Sequence, residues 1–143
     1  MKKKYKIAII SQSCPPLGGG GVDSSHYNLC LALHNLGYPV AFFTIADSKK
    51  SCPEDLPFVH RFCVPYIFKK IIILLCKIYF RILSPKKMQY QVQDILLCQW
   101  GAIFAKLALK KFNPDILVIP DRGCPGLSIR KIRHEKTVLI CHH

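Results

Sequence analysis

A run of four glycines, Gly18 to Gly21, separates two patterned segments and limits the folds open to this chain. The segment before it, Ile7 to Ile10, is a short apolar run with the length and composition of a buried strand. The segment after it ends at Gly37 and repeats apolar residues at helical spacing: Val22, Tyr27, Leu29, Leu31, Ala32, Leu33 and Leu36. Asp23, Ser24 and Ser25 are suitable N-cap residues for this helix. The sequence therefore predicts a strand, a glycine-rich turn and a helix.

A glycine-rich turn of this kind is suited to binding an anion. The first N–H groups of a helix have no intrahelical partner, and the helix dipole is positive at that end. Glycines also let a phosphate approach the backbone closely, and they permit a positive φ. The alternative interpretation is a flexible connector between strand and helix, and the glycines alone favour neither.

Two familiar nucleotide-binding motifs do not fit the spacing. A dinucleotide-binding G-x-G-x-x-G would require glycine at Asp23 or at Ser25, depending on the glycine from which it starts. A P-loop would require Gly-Lys-Ser/Thr where the sequence has Val22-Asp23-Ser24. Neither an NAD site nor a Walker-type site is supported, and no cofactor is expected.

The same region carries a longer ordered pattern of a hydrophobic strand, a proline pair, a glycine pair and a helix followed by a strand. Its residues are Ile7-Ala8-Ile9-Ile10-Ser11-Gln12, Pro15-Pro16, Gly20-Gly21, Tyr27-Asn28-Leu29, Ala32-Leu33, Leu36-Gly37-Tyr38 and Val40. This order and spacing resembles the opening of family-4 glycosyltransferases, which are GT-B enzymes. Two later segments, Asn113 to Val118 and Thr137 to His142, resemble the family's "PD-V" strand and a later strand that ends in histidine.

The resemblance implies the acceptor-side, N-terminal half of an enzyme that transfers a sugar from a nucleotide-sugar to a sugar or lipid-linked acceptor. In such enzymes a second Rossmann-like domain binds the donor, with a glutamate pair in an E-x7-E motif. The only glutamates here are Glu54 and Glu135, which lack this spacing. We therefore expect either a truncated gene product or one subunit of a split transferase, inactive alone and needing a donor-domain partner.

The resemblance also implies roles for residues after the last two predicted strands. It makes His142 the candidate catalytic residue lining the sugar site, although the adjacent His143 leaves the register open by one. Asp121 and Arg122 are candidates to bind a sugar hydroxyl and a phosphate, and the alternative is that they only flank a turn. Gly19, Gly20 and Gly21 would bind phosphate through their N–H groups. His26 is expected to be a surface residue of the first helix.

Bulk composition sets the class of protein. The 143 residues predict a single domain, numbered 1–143, large enough to bury a core. The net charge of +13 predicts an anionic partner: phospholipid, nucleic acid or a phosphorylated substrate. Nucleic acid is least favoured because no helix-turn-helix, zinc-finger or RNP pattern is present. The eight cysteines lack zinc spacing and follow no signal peptide, so we expect reduced thiols in a cytoplasmic protein without a metal site.

The remaining segments alternate between strand and helix patterns. Strands are predicted at Pro39 to Ile45, Phe58 to Val64, Asp115 to Ile119 and Thr137 to Cys141. A long helix is predicted over residues 88–112, with one apolar side: Ile95, Leu96, Trp100, Ile103, Phe104, Leu107 and Ala108. A short helix is expected to end near Arg133. This alternation predicts an α/β fold, a Rossmann-like doubly wound parallel sheet that forms the incomplete N-terminal half of a GT-B fold.

The segment from Tyr66 to Leu83 combines many apolar residues with four basic ones, Lys69, Lys70, Lys77 and Arg81. Its uncharged runs are too short to span a bilayer. On a helical wheel the basic residues share one third of the circumference, and apolar residues cover most of the rest. This pattern predicts either a helix in the interface of an anionic membrane, with those four residues in contact with it, or a core helix with a solvated edge. We expect peripheral attachment to the inner face of the plasma membrane. The alternative function is a non-catalytic module that binds membrane and recruits a catalytic partner.

Overall fold

The computed structural model describes residues 4–17, 20–47, 51–83, 89–120 and 137–140. These residues form five strands and three helices. In chain order they are β1 (Ile7–Ser11), α1 (Gly21–Asn35), β2 (Val40–Asp47), β3 (Val59–Cys63), α2 (Tyr66–Leu83), α3 (Gln89–Phe112), β4 (Ile116–Pro120) and β5 (Thr137–Ile140). The short helix predicted to end near Arg133 lies outside the described residues.

All five strands pair in parallel, in the order β3-β2-β1-β4-β5. The first strand is central, and its Ile9 pairs with Phe42 of β2 and with Val118 of β4. β1 is buried along its whole length and β2 along nearly all of it, which explains their continuous apolar sequences. The predicted α/β fold, a Rossmann-like doubly wound parallel sheet, is confirmed.

Two hydrophobic clusters cover the two faces of the sheet, because alternate residues of each strand point to opposite faces. On one face, α1 contributes Cys30 to a cluster with Ile9 and Phe42. On the other face, α3 packs against a cluster that includes Ala8 and Phe43. The sheet is therefore enclosed by one helix on each face, as a doubly wound topology requires.

The side of α3 that packs on the sheet is not the side that carries most of its large apolar residues. The buried residues of this side are small, except for Leu109: Cys98, Gly101, Ala102, Ala105 and Leu109. A β-carbon added to Gly101 would lie 1.6 Å from the carbonyl oxygen of Ile45, so the helix approaches β2 closely. Of the predicted apolar side, Ile95 and Ala108 pack at the margin of the core. Leu96, Ile103, Phe104 and Leu107 are exposed instead, and we call these four residues the outer stripe of α3.

Helix α2 lies against α3, and Phe68 stacks on Trp100 with 4.7 Å between ring centroids. Only Cys76 and Phe80 are buried among its described side chains. The interpretation of α2 as a core helix is therefore wrong for most of its circumference. Eight exposed apolar residues form what we call the outer face of α2: Ile67, Phe68, Ile71, Leu74, Leu75, Ile78, Tyr79 and Ile82. Among the described residues, no helix has the length and hydropathy needed to cross a bilayer.

Candidate functional site

The glycine turn leads from the carboxyl end of β1 into α1. In the order β3-β2-β1-β4-β5 the connections reverse direction between β1 and β4, and ligands of open α/β sheets bind at such a switch point. Gly20 is the N-cap residue of α1, and its carbonyl oxygen accepts the first helical hydrogen bond from Ser24 N–H at 3.1 Å. The N–H groups of the first turn thus lie at the ligand-binding edge of the sheet.

The glycines are not required by backbone conformation. Gly20 has φ −74° and ψ −178°, an extended conformation that any residue adopts, and Gly21 is helical. Among the described glycines only Gly37 has a positive φ. Gly20 and Gly21 therefore do not use the positive φ that glycine permits. A β-carbon at either position would meet no atom within 4 Å, so the two glycines leave open space in front of α1.

Asp23 is a bridge to β1 rather than an N-cap. The helix starts upstream of it, at Gly21, and has no side-chain cap, so the predicted capping by Asp23, Ser24 or Ser25 is wrong. The Asp23 carboxylate accepts hydrogen bonds from the Ser11 hydroxyl, from the Ser13 hydroxyl at 2.8 Å and from the Gln12 N–H at 3.3 Å. This negative charge in the first turn interacts favourably with the positive end of the helix dipole, but it repels a bound anion. An anion here would have to contact the helix N–H groups on the side away from Asp23.

His26 is buried, with 1% of its surface exposed, so the expectation of a surface position is wrong. It lies one turn into α1, and with Cys30 it faces the interior. Burial raises the pKa of the Cys30 thiol to about 12, which makes it an inert core residue. Both side chains are thus enclosed by protein and do not form part of the exposed surface of α1.

A buried charge cluster centred on Arg61 lies at the carboxyl ends of β2 and β3. The guanidinium, which has no exposed surface, donates to Asp47 at 2.8 Å and to Asp55 at 2.7 and 2.9 Å. It also donates to the carbonyl oxygens of Cys14 at 2.9 Å and Pro15 at 2.8 Å. One side chain therefore joins β3, the end of β2, the loop at residues 51–55 and the loop after β1.

The pairing within the cluster changes the pKa values of Asp55 and Arg61. The hydrogen bonds from Arg61 hold the pKa of Asp55 below its ordinary value of 3.8. The same pairing raises the pKa of Arg61 further, so the guanidinium stays charged. Burial raises the pKa of the Cys14 thiol to about 11 even though Arg61 opposes this shift. Cys14 is consequently a neutral thiol rather than a nucleophile at neutral pH.

The sequence contained one signal for this cluster. Arg61 is a charged residue in an apolar strand segment, and a buried charge needs partners. Its partners come from separate segments, so only the fold could identify Asp47 and Asp55. Arg61, which both carboxylates hold in position, hydrogen-bonds the carbonyl groups of Cys14 and Pro15 and so fixes the loop after β1.

A cavity of about 340 Å³ lies next to the Arg61 cluster, between the ends of β2 and β3 and the start of α2. Its walls are largely apolar, and Asp47 and Lys69 are its charged lining residues: Ala46, Asp47, Cys63, Val64, Pro65, Tyr66, Lys69 and Leu97. The Asp47 carboxylate is engaged by Arg61 and by the Cys14 N–H, at 3.4 Å. The structure thus separates Lys69 from the other three basic residues of α2 and places it at the carboxyl edge of the sheet.

The other predicted site residues lie outside the described part of the chain. They are Gly19, Asp121, Arg122, His142 and His143. In the sequence, Asp121 and Arg122 directly follow the end of β4 at Pro120, and His142 and His143 follow the end of β5 at Ile140 after one intervening residue. Among the described residues, no group of three or more His, Cys, Asp or Glu side chains could hold a metal ion. A search of protein-family models and a search of curated protein sequences found no match to the chain.

Proposed function

We propose that the chain is the acceptor-side, N-terminal part of a GT-B glycosyltransferase of the family-4 type. Such an enzyme transfers a sugar from a nucleotide-sugar to a sugar or lipid-linked acceptor. The observation that carries the proposal is the open space at Gly20 and Gly21, where α1 starts at the carboxyl end of the central strand. The resemblance of Ile7 to Val40 to the family's opening supplies the chemistry.

In this proposal the N–H groups of Gly20 and Gly21, with Gly19, face the donor diphosphate or an acceptor phosphate. Their worth to catalysis is greatest in a closed, water-excluded cleft. His142 or His143 lines the sugar site, and Asp121 and Arg122 contact a hydroxyl and a phosphate. The donor nucleotide binds mainly to a second domain, whether that domain belongs to the same polypeptide or to a partner subunit.

Gly21→Val tests the phosphate role in a transferase that includes the donor-binding domain. The added side chain meets no protein atom at its β-carbon, so the fold should be retained, while a phosphate at the N–H groups would be obstructed. We expect kcat/KM to fall by about a hundredfold, the scale of losing one preorganised donor to a charged group. Steady-state kinetics and melting temperature should be measured together.

The matched control for this test is Ser25→Val, which adds the same side chain at an exposed position one turn further along α1. This variant should keep its activity because it lies away from the open N–H groups. A Gly21→Val enzyme that is folded and fully active would remove the phosphate role of the turn, and with it the main support for the proposal.

The 143-residue chain by itself should transfer no sugar from common nucleotide-sugars. The proposal assigns donor binding mainly to the second domain, so the isolated chain lacks most of the contacts that hold the donor. The measurement is product formation with radiolabelled donors and a panel of soluble acceptors. Turnover by the purified chain would contradict its assignment as the acceptor-side half.

We further propose that the chain is cytoplasmic and peripheral to the membrane. The exposed outer face of α2, together with its basic residues, supports this location. The same observation favours a second candidate function, in which the chain is a non-catalytic module that recruits a catalytic partner to the membrane. The two functions differ in one measurable respect: only the first predicts loss of sugar transfer in Gly21→Val.

A further inference from the structure

The outer face of α2 is a continuous apolar surface, and its eight residues occupy an arc of about 140° on the helix. They are well exposed along the whole helix, from Ile67 at 70% to Ile82 at 72%. Burying large apolar side chains is worth roughly 25 cal/mol per Å² removed from water, so a folded protein rarely leaves so many uncovered together. This surface is therefore a candidate binding surface for a partner that covers it.

Three basic residues form a line along one edge of this face. Lys70, Lys77 and Arg81 follow each other at helical spacing and are all exposed, within an arc of about 40°. Lys70 lies over the ring of Tyr66, with 4.6 Å from Nζ to the centroid. Lys69 does not belong to this line, because it lines the cavity between the start of α2 and the ends of β2 and β3.

The apolar surface continues from α2 onto α3 along its other edge. Phe68 of α2 stacks on Trp100, and the ring centroid of Trp100 lies 6.1 Å from that of Phe104. Phe104 belongs to the outer stripe of α3, whose most exposed member is Leu107, at 63%. The outer face of α2 and the outer stripe of α3 thus form one surface, which we call the α2–α3 surface.

We propose that the α2–α3 surface docks onto an anionic phospholipid membrane, with both helices lying in the membrane interface. The apolar residues insert below the headgroups, while Lys70, Lys77 and Arg81 contact lipid phosphates at the edge. The inference rests on the proposed peripheral location and deepens it, since it assigns α3 and the single tryptophan to the contact. It does not depend on sugar transfer.

The charge distribution favours this occupant over a second copy of the chain. Across α2 and α3 the sequence has seven basic residues and one acidic residue, Asp94. A symmetric dimer through the same surface would bring the basic line of one copy towards the basic residues of the other. An anionic lipid surface instead supplies the counter-charge along the whole edge.

The position of the surface also argues against a donor-binding domain as the occupant. In the proposed enzyme that domain closes over the carboxyl ends of the strands, where α1 begins. The α2–α3 surface belongs instead to the helical layer on one face of the sheet, since α3 packs on that face and α2 packs on α3. A domain that closes over the strand ends would leave this layer exposed.

The test uses the purified 143-residue chain and vesicles of phosphatidylcholine, with or without 30% phosphatidylglycerol, in a flotation assay. Trp100 is the only tryptophan of the chain, so its fluorescence reports on the α2–α3 contact. We expect flotation with anionic vesicles, a blue shift of the Trp100 emission and quenching by lipids brominated in the acyl chain. Replacing Lys70, Lys77 and Arg81 by Gln should lower the partition coefficient by about a hundredfold, since each charge contributes about fivefold.

Two apolar variants test whether both helices take part. Ile78→Glu on α2 and Leu107→Glu on α3 should each reduce vesicle binding by about tenfold or more, because each places a charge where an apolar side chain inserts. The matched control is Leu36→Glu, which changes an exposed leucine that follows α1, the helix on the opposite face of the sheet. All three positions are exposed, so circular dichroism should show an unchanged fold, and the control should bind vesicles normally.

Several results would overturn the proposal. One is failure of the folded chain to float with anionic vesicles at low salt, whether it is monomeric or forms a discrete dimer in size-exclusion chromatography. A second is vesicle binding that Leu107→Glu leaves unchanged while Trp100 stays unquenched, which would remove α3 from the contact. Assays of sugar transfer with soluble acceptors report on the proposed enzyme separately, so either proposal can fail without the other.

Discussion

Arg61 illustrates how a single residue can hold several segments in place. Its guanidinium hydrogen-bonds two carboxylates and two backbone carbonyl groups that come from three separate parts of the chain. A buried ion pair contributes little net stability when compared with apolar residues of the same size. Removing one partner is nevertheless destabilising, because the other charge then stays buried without a counter-charge. The cluster is therefore better understood as a means of fixing the loop after β1 than as a source of stability.

The stability of the protein should fall in acid through Asp55. Its pKa is lower in the folded protein than the ordinary value of 3.8, because Arg61 stabilises the charged form. The stabilisation is fully present above pH 3.8 and is lost as the pH falls through the folded pKa. Asp55→Asn should therefore lower the free energy of unfolding at pH 7 and weaken its dependence on pH below about 4.

Urea unfolding at a series of pH values, followed by circular dichroism, checks this expectation. The control is Glu54→Gln, which neutralises the adjacent but exposed carboxylate. It should leave both the stability at pH 7 and the acid dependence nearly unchanged. Equal acid dependence in Asp55→Asn and in the wild-type protein would contradict the role given to Arg61.

At the scale of helices and strands, most of the architecture could be predicted from the sequence. The runs at Ile7 and Val40 are continuous and apolar because both faces of these strands are buried, so their pattern had one interpretation. The turn at Gly37 was equally informative, since its φ of 75° is one that glycine readily adopts.

The orientation of α3 could not be predicted, and the reason is physical. A helix that packs closely on a sheet needs small residues at the contact, such as Gly101 and Ala105, and these have little weight in a hydropathy pattern. The large residues of the opposite side dominated that pattern and suggested the wrong face. The predicted helix start is also wrong, because the Asp23 carboxylate, which is a suitable cap in sequence, instead accepts a hydrogen bond from the Ser11 hydroxyl of β1.

The contact at Gly101 makes a sharp prediction about α3. In Gly101→Ala the new β-carbon would overlap the backbone of Ile45, which cannot move aside as a flexible side chain could. We expect a loss of about 1–3 kcal/mol in the free energy of unfolding, despite the higher helix propensity of alanine.

Gly21→Ala is the matched control. It makes the same change in helix α1, where the new β-carbon would meet no atom within 4 Å. It should be neutral or slightly stabilising. Chemical denaturation of both variants provides the measurement. If Gly101→Ala is as stable as Gly21→Ala, the close approach of α3 to β2 is not present in solution.

At the scale of the whole molecule, the two helical layers that the structure describes differ in charge and in exposed apolar surface. The net charge is +13, and α2 and α3 contribute +6 of it by formal count of their basic and acidic residues. The opposite layer, α1, carries no lysine or arginine. This difference between the two described layers favours an orientation in which α2 and α3 lie towards an extended anionic surface.

Salt should therefore weaken membrane binding without abolishing it. Screening shortens the Debye length from about 10 Å at 0.1 M salt to about 3 Å at 1 M, which reduces the contribution of the basic line but not apolar insertion. The partition coefficient on anionic vesicles should fall with salt to a plateau above zero. The variant with Gln at positions 70, 77 and 81 should start near that plateau and vary little, whereas a fall to zero would contradict apolar insertion.

The close packing of α3 on β2 also limits which changes could make the protein more soluble. The Gly101 side of α3 lies against the Ile45 backbone, and Leu96, Ile103 and Leu107 lie on the exposed side of the helix. A version suited to crystallisation must instead change those side chains, for example to Gln or Lys. The core would be untouched by such changes, since the residues that α3 contributes to it lie on the other side of the same helix.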